Sequence, residues 1–138
     1  MMKACKYAIL FLVGGIVYMA MEMIFRGRTH WTMALVGGIC FIYCGLVNEI
    51  MNWSTPLPLQ MLYCSLIITS IELVAGLILN SWLGLAIWNY DRMPLNLCGQ
   101  ICLPYSILWY FVSLIAIVAD DYMRYWLFGE EKPHYCWR

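Results

Sequence analysis

The sequence predicts an all-α polytopic membrane protein: four transmembrane helices in an up-down bundle, with a broken or re-entrant segment near residues 80–97. Three observations predict it. Hydrophobic residues make up 64% of the 138 positions and charged residues only 12%, whereas soluble domains run near about 45–50% apolar and about 25% charged. A soluble fold of this length lacks the interior to hide that excess. The apolar residues also fall into four runs, each near the roughly 17–25 residues that cross a hydrocarbon core. Finally, turn-forming and charged residues collect between the runs. Residues 1–138 read as a single membrane domain.

The first span is Tyr7 to Phe25, "YAILFLVGGIVYMAMEMIF". Lys3 and Lys6 precede it in the manner of a signal peptide, but no small-x-small cleavage pattern closes it and more spans follow. It therefore reads as an uncleaved first helix. The second span is Trp31 to Val47, ended by "NEIMNWSTPLP", whose Asn, Ser and prolines mark a turn. The third runs from Leu59 to Leu79. Carried on through Trp88, that helix would be about 30 residues, or about 45 Å at ~1.5 Å per residue. A hydrocarbon core is only about 30 Å thick. A break near Asn80 is the expected solution, followed by an interfacial or re-entrant stretch, "NSWLGLAIWNYDRMPLNLC". Non-helical backbone at membrane depth must be shielded by protein or line a cavity. The fourth span is Gly99 to Ala119, closed by Asp120 and Asp121, with 120–138 left as an interfacial tail. Trp31, Trp53 and "DDYMRYWLF" read as aromatic anchors at span ends.

The up-down connectivity places the end of span 1, the start of span 2, the end of span 3 and the start of span 4 on one side. Candidate substrate- or ion-pathway residues gather there: Glu22, Arg26, His30, Glu72, Asn80, Trp88, Tyr90, Asn96 and Gln100. The other side carries Asn48, Glu49, Asn52 and the termini, so the polar residues are expected to concentrate at one face. Glu72 is the most informative of them. It lies roughly 10 Å inside its helix end at ~1.5 Å per residue. An acid there costs about 2.5–3.5 kcal/mol unless neutralised or paired, and such residues face the bundle. The bland alternative is a protonated glutamate bonded between helices. Glu22 and Arg26 stand four apart in the favourable helical order. Arg26 is expected either to close that interfacial pair or to reach inward to Glu72 or an anionic substrate, which its planar fork suits.

His30 lacks the neighbours of a metal site. Cys40 with Cys44, and Cys98 with Cys102, share helical faces and read as close-packing small residues. The seven cysteines show no disulfide framework and no C-x-x-C. No catalytic residue, metal site or cofactor is predicted. Net charge is zero and there is no basic run, so nucleic acid is excluded as a partner. "GGIC" at 37–40 and "GQIC" at 99–102 each follow an arginine-bearing connector, which suggests two parallel hairpins of the kind transporters repeat.

Two motif blocks carry a family resemblance. The first is E-x3-R-G-x-T-H-W-T-M-x3-G-G-x-C-F, from Glu22 to Phe41, ending with Asn48 and Glu49. The second is E-x3-G-x3-N from Glu72 to Asn80, then W-N-Y, N-x2-G-Q-I-C-L and Trp109. Across roughly residues 10–118 the chain resembles the small bacterial four-helix membrane proteins known as type IV ABC-transporter permeases. It departs from them at Asn89, where the family pattern has an aspartate. The resemblance implies a transport component of a bacterial inner membrane, working with an ATPase subunit or as a homo-oligomer in the lipid bilayer. The chain has no G-x-x-x-x-G-K-[ST], so by that motif it is not itself the ATPase. Lys3, Lys6, Arg124 and Lys132 against Arg26, Arg28 and Arg92 favour cytoplasmic termini. Two other classes stand beside this reading. One is a small proton-coupled homodimeric exporter, with Glu72 alternating between proton and cation. The other is a membrane-embedded enzyme with a Glu/Arg/His pocket.

Overall fold

The computed structural model describes residues 2–138. The protein is all-helical: α1 spans Met2–Arg26, α2 Thr32–Ile50, α3 Leu57–Gly76 and α4 Leu103–Phe128. A π-helical turn, Leu77–Trp82, prolongs α3. All four helices are long and apolar enough to cross a membrane. No strand forms among the described residues.

Local chemistry sets the helix ends. Gly27 leaves α1 in the left-handed region at φ 68°, and its N–H closes the last turn on Met23 O at 3.0 Å. Pro56 and Pro58 open α3, and Pro104 lies in the first turn of α4. A proline there forfeits only an N–H that has no helical partner. Gly129, at φ 65°, ends α4. Its N–H and that of Glu130 cap the carbonyls of Tyr125 and Arg124, the usual left-handed helix stop.

Three expectations need correction. The fourth helix starts at Leu103 rather than Gly99 and runs on to Phe128, so Asp120 and Asp121 sit inside it and do not close it. They are carried by their neighbours: apolar residues flank them on both sides, and the next strong stop is Gly129. The tail is therefore 129–138, and it folds back. Leu57 N–H donates to Cys136 O at 2.6 Å, and His134 stacks on Trp53 at 4.9 Å. The internal repeat also fails at its own motif. "GGIC" lies within α2, whereas "GQIC" is irregular chain whose Cys102 caps α4.

The helices are not packed equally. The main buried cluster draws Cys40, Cys44 and Val47 from α2, Leu57, Met61, Cys64 and Ile68 from α3, and Trp109 and Ile117 from α4. Helix α1 supplies none of these and rides chiefly on α2. That contact is made of glycine. A Cβ on Gly38 would fall 2.7 Å from Phe11 O, and one on Gly15 would strike Ala34 O. Backbones approach this closely in membranes through small residues. Between α1, α2 and α4 an apolar groove of about 190 Å³ remains open, lined by Gly14, Tyr18, Cys40, Cys44 and Trp109 among others.

After Trp82 the helix gives way, close to the predicted break at Asn80. Leu83 N–H bonds Ile78 O and Leu85 N–H bonds Leu79 O, both at 2.9 Å, so the last turns widen before the chain leaves. Residues 83–102 then fold back over the ends of α3 and α4. Ala86, Leu95 and Cys98 adopt φ values of 48°, 51° and 53°, conformations that side chains disfavour and only surrounding structure maintains.

Candidate functional site

The end of the bundle that carries 27–31 and 83–102 is called here the loop face, and the end that carries both chain termini the terminal face. At the loop face the structure divides the predicted site residues into two small assemblies and a scaffold.

The first assembly surrounds Glu22, buried at 7% exposure although it faces the end of α1. Arg26 Nη1 donates to Oε1 and Thr29 Oγ1 to Oε2, each at 2.8 Å. Arg26 also donates through Nη2 to Ile87 O at 2.8 Å. The guanidinium thus ties α1 to the 83–102 segment, while Thr29 ties the 27–31 loop to the same carboxyl. Glu22, Arg26, Arg28, His30 and Ile87 line a half-open cavity of about 170 Å³. His30 Nδ1 lies 2.8 Å from Thr32 Oγ1 and also accepts from Thr32 N–H at 3.4 Å. Nδ1 is then the acceptor, and the Thr32 hydroxyl donates to it. The histidine organises the start of α2.

The second assembly surrounds Glu72, also buried at 7% exposure. Tyr90 O–H donates to Oε1 and Trp109 Nε1 to Oε2, each at 3.0 Å. Tyr90 stacks on Tyr105 at 4.7 Å, and Tyr105 lies 6.3 Å from the Trp109 ring. Burial and the adjacent Glu72 carboxyl raise the proton affinity of the Tyr90 phenol, which keeps it a donor. The alternative in which Arg26 reaches inward to Glu72 is not formed. Arg26 is spent on its own i,i−4 partner and on Ile87, and Glu72 is held by neutral donors.

The scaffold is Asn80, Trp88 and Gln100. Asn80 Nδ2 donates to Gln100 Oε1 at 2.8 Å, and Asn80 Oδ1 accepts from Ile87 N–H at 2.7 Å. Trp88 is buried, with Nε1 on Gln100 O at 3.0 Å. Gly76 admits the Gln100 side chain, which any Cβ would displace. Asn96 stays outside both assemblies: it donates to Met93 O at 2.9 Å and Asp91 O at 3.2 Å and accepts from Gly99 N–H. It shapes a turn, as Asn89 does with Asp91.

A second polar cluster lies at the terminal face, where few polar groups were expected. Lys6 Nζ donates to Glu130 Oε1 at 2.6 Å and lies 3.5 Å from Glu49 Oε1. Arg124 bonds both Glu49 and Asp120. Asn48 Nδ2 and Tyr135 O–H both donate to Asp121 Oδ2, at 2.6 and 2.9 Å. Burial and the nearby Asp121 raise the proton affinity of the Tyr135 phenol, so it remains a donor. Sequence reading missed this cluster because it took Asp120 and Asp121 as the helix stop and counted Arg124 only toward membrane orientation. The available signal was the i,i+4 spacing of Asp120 and Arg124 between apolar neighbours. Trp109 was likewise noted only as a family position, and the structure makes it the indole partner of Glu72.

Compared with known proteins, the chain matches over residues 6–129 the model of a family described as "Putative ABC-transporter type IV". No curated protein and no solved structure is similar enough to match.

Proposed function

The chain belongs to that type IV ABC-transporter family, and from this premise we propose that it is the membrane-embedded, permease-like subunit of a transporter whose ATPase is a separate chain. One observation carries the reading: the family match runs through all four apolar helices. The protein would supply the bilayer part and a partner the phosphate-binding loop that this sequence lacks. The bacterial inner membrane, with both termini in the cytoplasm, fits the modest excess of Lys and Arg on the terminal side.

The loop-face residues are the pathway candidates on this reading. Glu22 and Glu72 are acids within apolar helices, an arrangement that costs about 2.5–3.5 kcal/mol without partners and that marks substrate or ion routes. Arg26 would sense substrate through the loop carbonyl it holds at Ile87. Purification from native membranes under mild detergent is the test. A co-purifying subunit with a Walker A motif is expected. Recovery of this chain alone, from cells that express its genomic neighbours, overturns the proposal.

The aromatic cage of Glu72 favours a second reading, a proton-coupled homodimeric exporter of cations. Tyr90 and Trp109 bond the carboxyl and Tyr105 packs against both rings, and aromatic rings beside an acid attract cations. Glu72→Gln should then abolish proton-linked flux in proteoliposomes while unchanged flux sinks the idea. The acid–base pocket of the enzyme reading loses its relay, because His30 engages Thr32 and makes no hydrogen bond to Glu22 or Glu72 among the described residues.

A further inference from the structure

At the loop face every oxygen of Glu22 and Glu72 has a donor. The bonds around the acids are closed, and what stays open is the donor side. Arg26 spends one N–H on Glu22 and another on Ile87 O, which leaves the rest of its guanidinium hydrogens free. Among the described residues the ion pair at this end of the bundle is Arg26 with Glu22, and the exposed Arg28 has no charged or hydrogen-bonding partner for its side chain. His30 accepts from Thr32 at Nδ1, so the neutral ring carries its proton on Nε2. That N–H has no acceptor among the described residues, and neither do the backbone N–H groups of Arg28, Thr29 and His30.

All of these residues line the same half-open cavity of about 170 Å³, whose wall is completed by Leu85, Ala86 and Ile87. Its charges are unequal: Arg26 and Arg28 are set against Glu22 alone. The excess is positive, and both oxygens of Glu22 are already taken. The bond from Arg26 to Ile87 O fixes the 85–87 stretch against the 27–31 loop, so the free donors gather in a shaped recess and not on an open loop. Phe25 and Trp31 stand exposed next to Arg26 and His30 in the chain, and Leu85 is exposed on the wall itself. Aromatic and apolar side chains at a span end sit at the headgroup level of a bilayer. The cavity mouth therefore opens at the depth where lipid phosphates lie and where water-borne anions can still reach it.

We propose that this loop-face cavity binds a phosphate group, carried by a water-borne phosphate ester or by a lipid headgroup. A cation is disfavoured by the arginine excess and by the absence of a free acceptor on Glu22. Among anions, the donor set selects the shape. The guanidinium hydrogens of Arg26 and Arg28, the His30 Nε2–H and successive backbone N–H groups are more donors than a planar carboxylate can use. A tetrahedral phosphate offers acceptor oxygens in several directions at once. Arginine forks match those oxygens and form charge-assisted bonds with them, and successive backbone N–H groups make anion-binding concavities. The inference goes beyond the transport reading and does not rest on it: binding to the isolated chain tests the cavity, whereas recovery of an ATPase tests the subunit.

The test uses the full chain and has two arms. In the first, the chain in phosphatidylcholine nanodiscs is titrated by calorimetry at constant pH and ionic strength. Inorganic phosphate and glycerol 3-phosphate are the probes, and acetate and chloride the comparators. In the second, native mass spectrometry counts the phosphatidylglycerol and phosphatidylcholine that the detergent-solubilised chain retains. A phosphate probe that binds saturably, about tenfold tighter than both comparators, identifies a water-borne ligand. Retention of phosphatidylglycerol about tenfold over phosphatidylcholine identifies a lipid headgroup. In whichever arm binds, Arg28→Gln should weaken binding about tenfold. Arg28 holds nothing within the protein, so this variant should fold as the parent does. Arg92 is an exposed arginine of the same face outside the cavity, and Arg92→Gln should leave binding unchanged. Failure of both arms overturns the proposal. So does acetate binding as tightly as phosphate with no lipid preference, an affinity that Arg28→Gln does not alter, or an equal loss in Arg92→Gln, which would mark diffuse surface charge.

Discussion

Glu72 and Asp120 are both acids inside apolar helices, and the protein treats them in opposite ways. Glu72 receives one phenol and one indole, neutral donors on both oxygens. Asp120 receives a guanidinium on one oxygen and nothing on the other. The loop face is thus a closed set of hydrogen bonds built from neutral groups and a single ion pair. The terminal face is an ionic network of Lys6, Glu49, Asp120, Arg124 and Glu130. The difference teaches that equal burial does not dictate how an acid is compensated. Neutral donors can complete both oxygens, as at Glu72, or a cation can serve one oxygen and leave the other unpaired, as at Asp120.

The comparison can be broken most forcefully at Arg124. Arg124→Met would leave Asp120 and Glu49 facing each other with their shared cation gone. Removing one partner of a buried ionic cluster costs about 3–5 kcal/mol, read as a loss of helical circular dichroism at lower denaturant in detergent. A variant as stable as the parent would show that the terminal network contributes nothing. At the loop face, Trp109→Phe should cost less, about 1–3 kcal/mol for a buried carboxylate oxygen left without its donor. The same unfolding assay checks it, with the prediction that Arg124→Met is the more damaging of the two. If the order is reversed, the ranking of the two faces is wrong.

A third substitution separates packing from polarity. Gly38→Val forces a branched side chain into the α1–α2 contact, where Phe11 O already stands 2.7 Å from an ideal Cβ. Overpacking of this kind costs about 1–3 kcal/mol, and it should raise the protease susceptibility of α1 before that of α3 or α4. The smallest effect belongs to Arg26→Lys. Its guanidinium side chain is 29% exposed, and exposed or rim pairs contribute about 0–1 kcal/mol. A single ammonium cannot serve Glu22 and Ile87 together in the planar fork geometry. Stability should therefore barely change, while hydrogen exchange at residues 85–87 rises. Unchanged exchange would show that the Ile87 contact does not order the loop.

Much of the loop face was legible in sequence. The i,i+4 pair of Glu22 with Arg26 was one of the two alternatives that the sequence left open, and it is the one that forms. Glu72 was expected inside its helix and faces the bundle, buried against Trp109. What failed was the link between them. Nothing in the order of residues states that Tyr90, from an irregular segment, would reach Glu72 first, or that a loop carbonyl would take the second arm of Arg26. The terminal cluster escaped for a different reason. Asp-Asp after an apolar run reads as a stop, because charges at span ends are common. The helix continues because its carboxylates find Arg124, Asn48 and Tyr135, which arrive from one turn later, from another helix and from the returning tail.

By itself, then, the sequence determined the all-helical membrane class, the count of spans, the break after the third helix and the up-down order that sets which residues share an end. These follow from composition, run length and turn chemistry, which are local. The tertiary structure alone decided which acid meets which donor, that the fourth helix carries its aspartates inward, and which buried polar atoms near the terminal face stay unpaired. Partner choice for a buried polar group depends on distances between segments far apart in the chain, and the desolvation of each group is fixed only when every neighbour is in place.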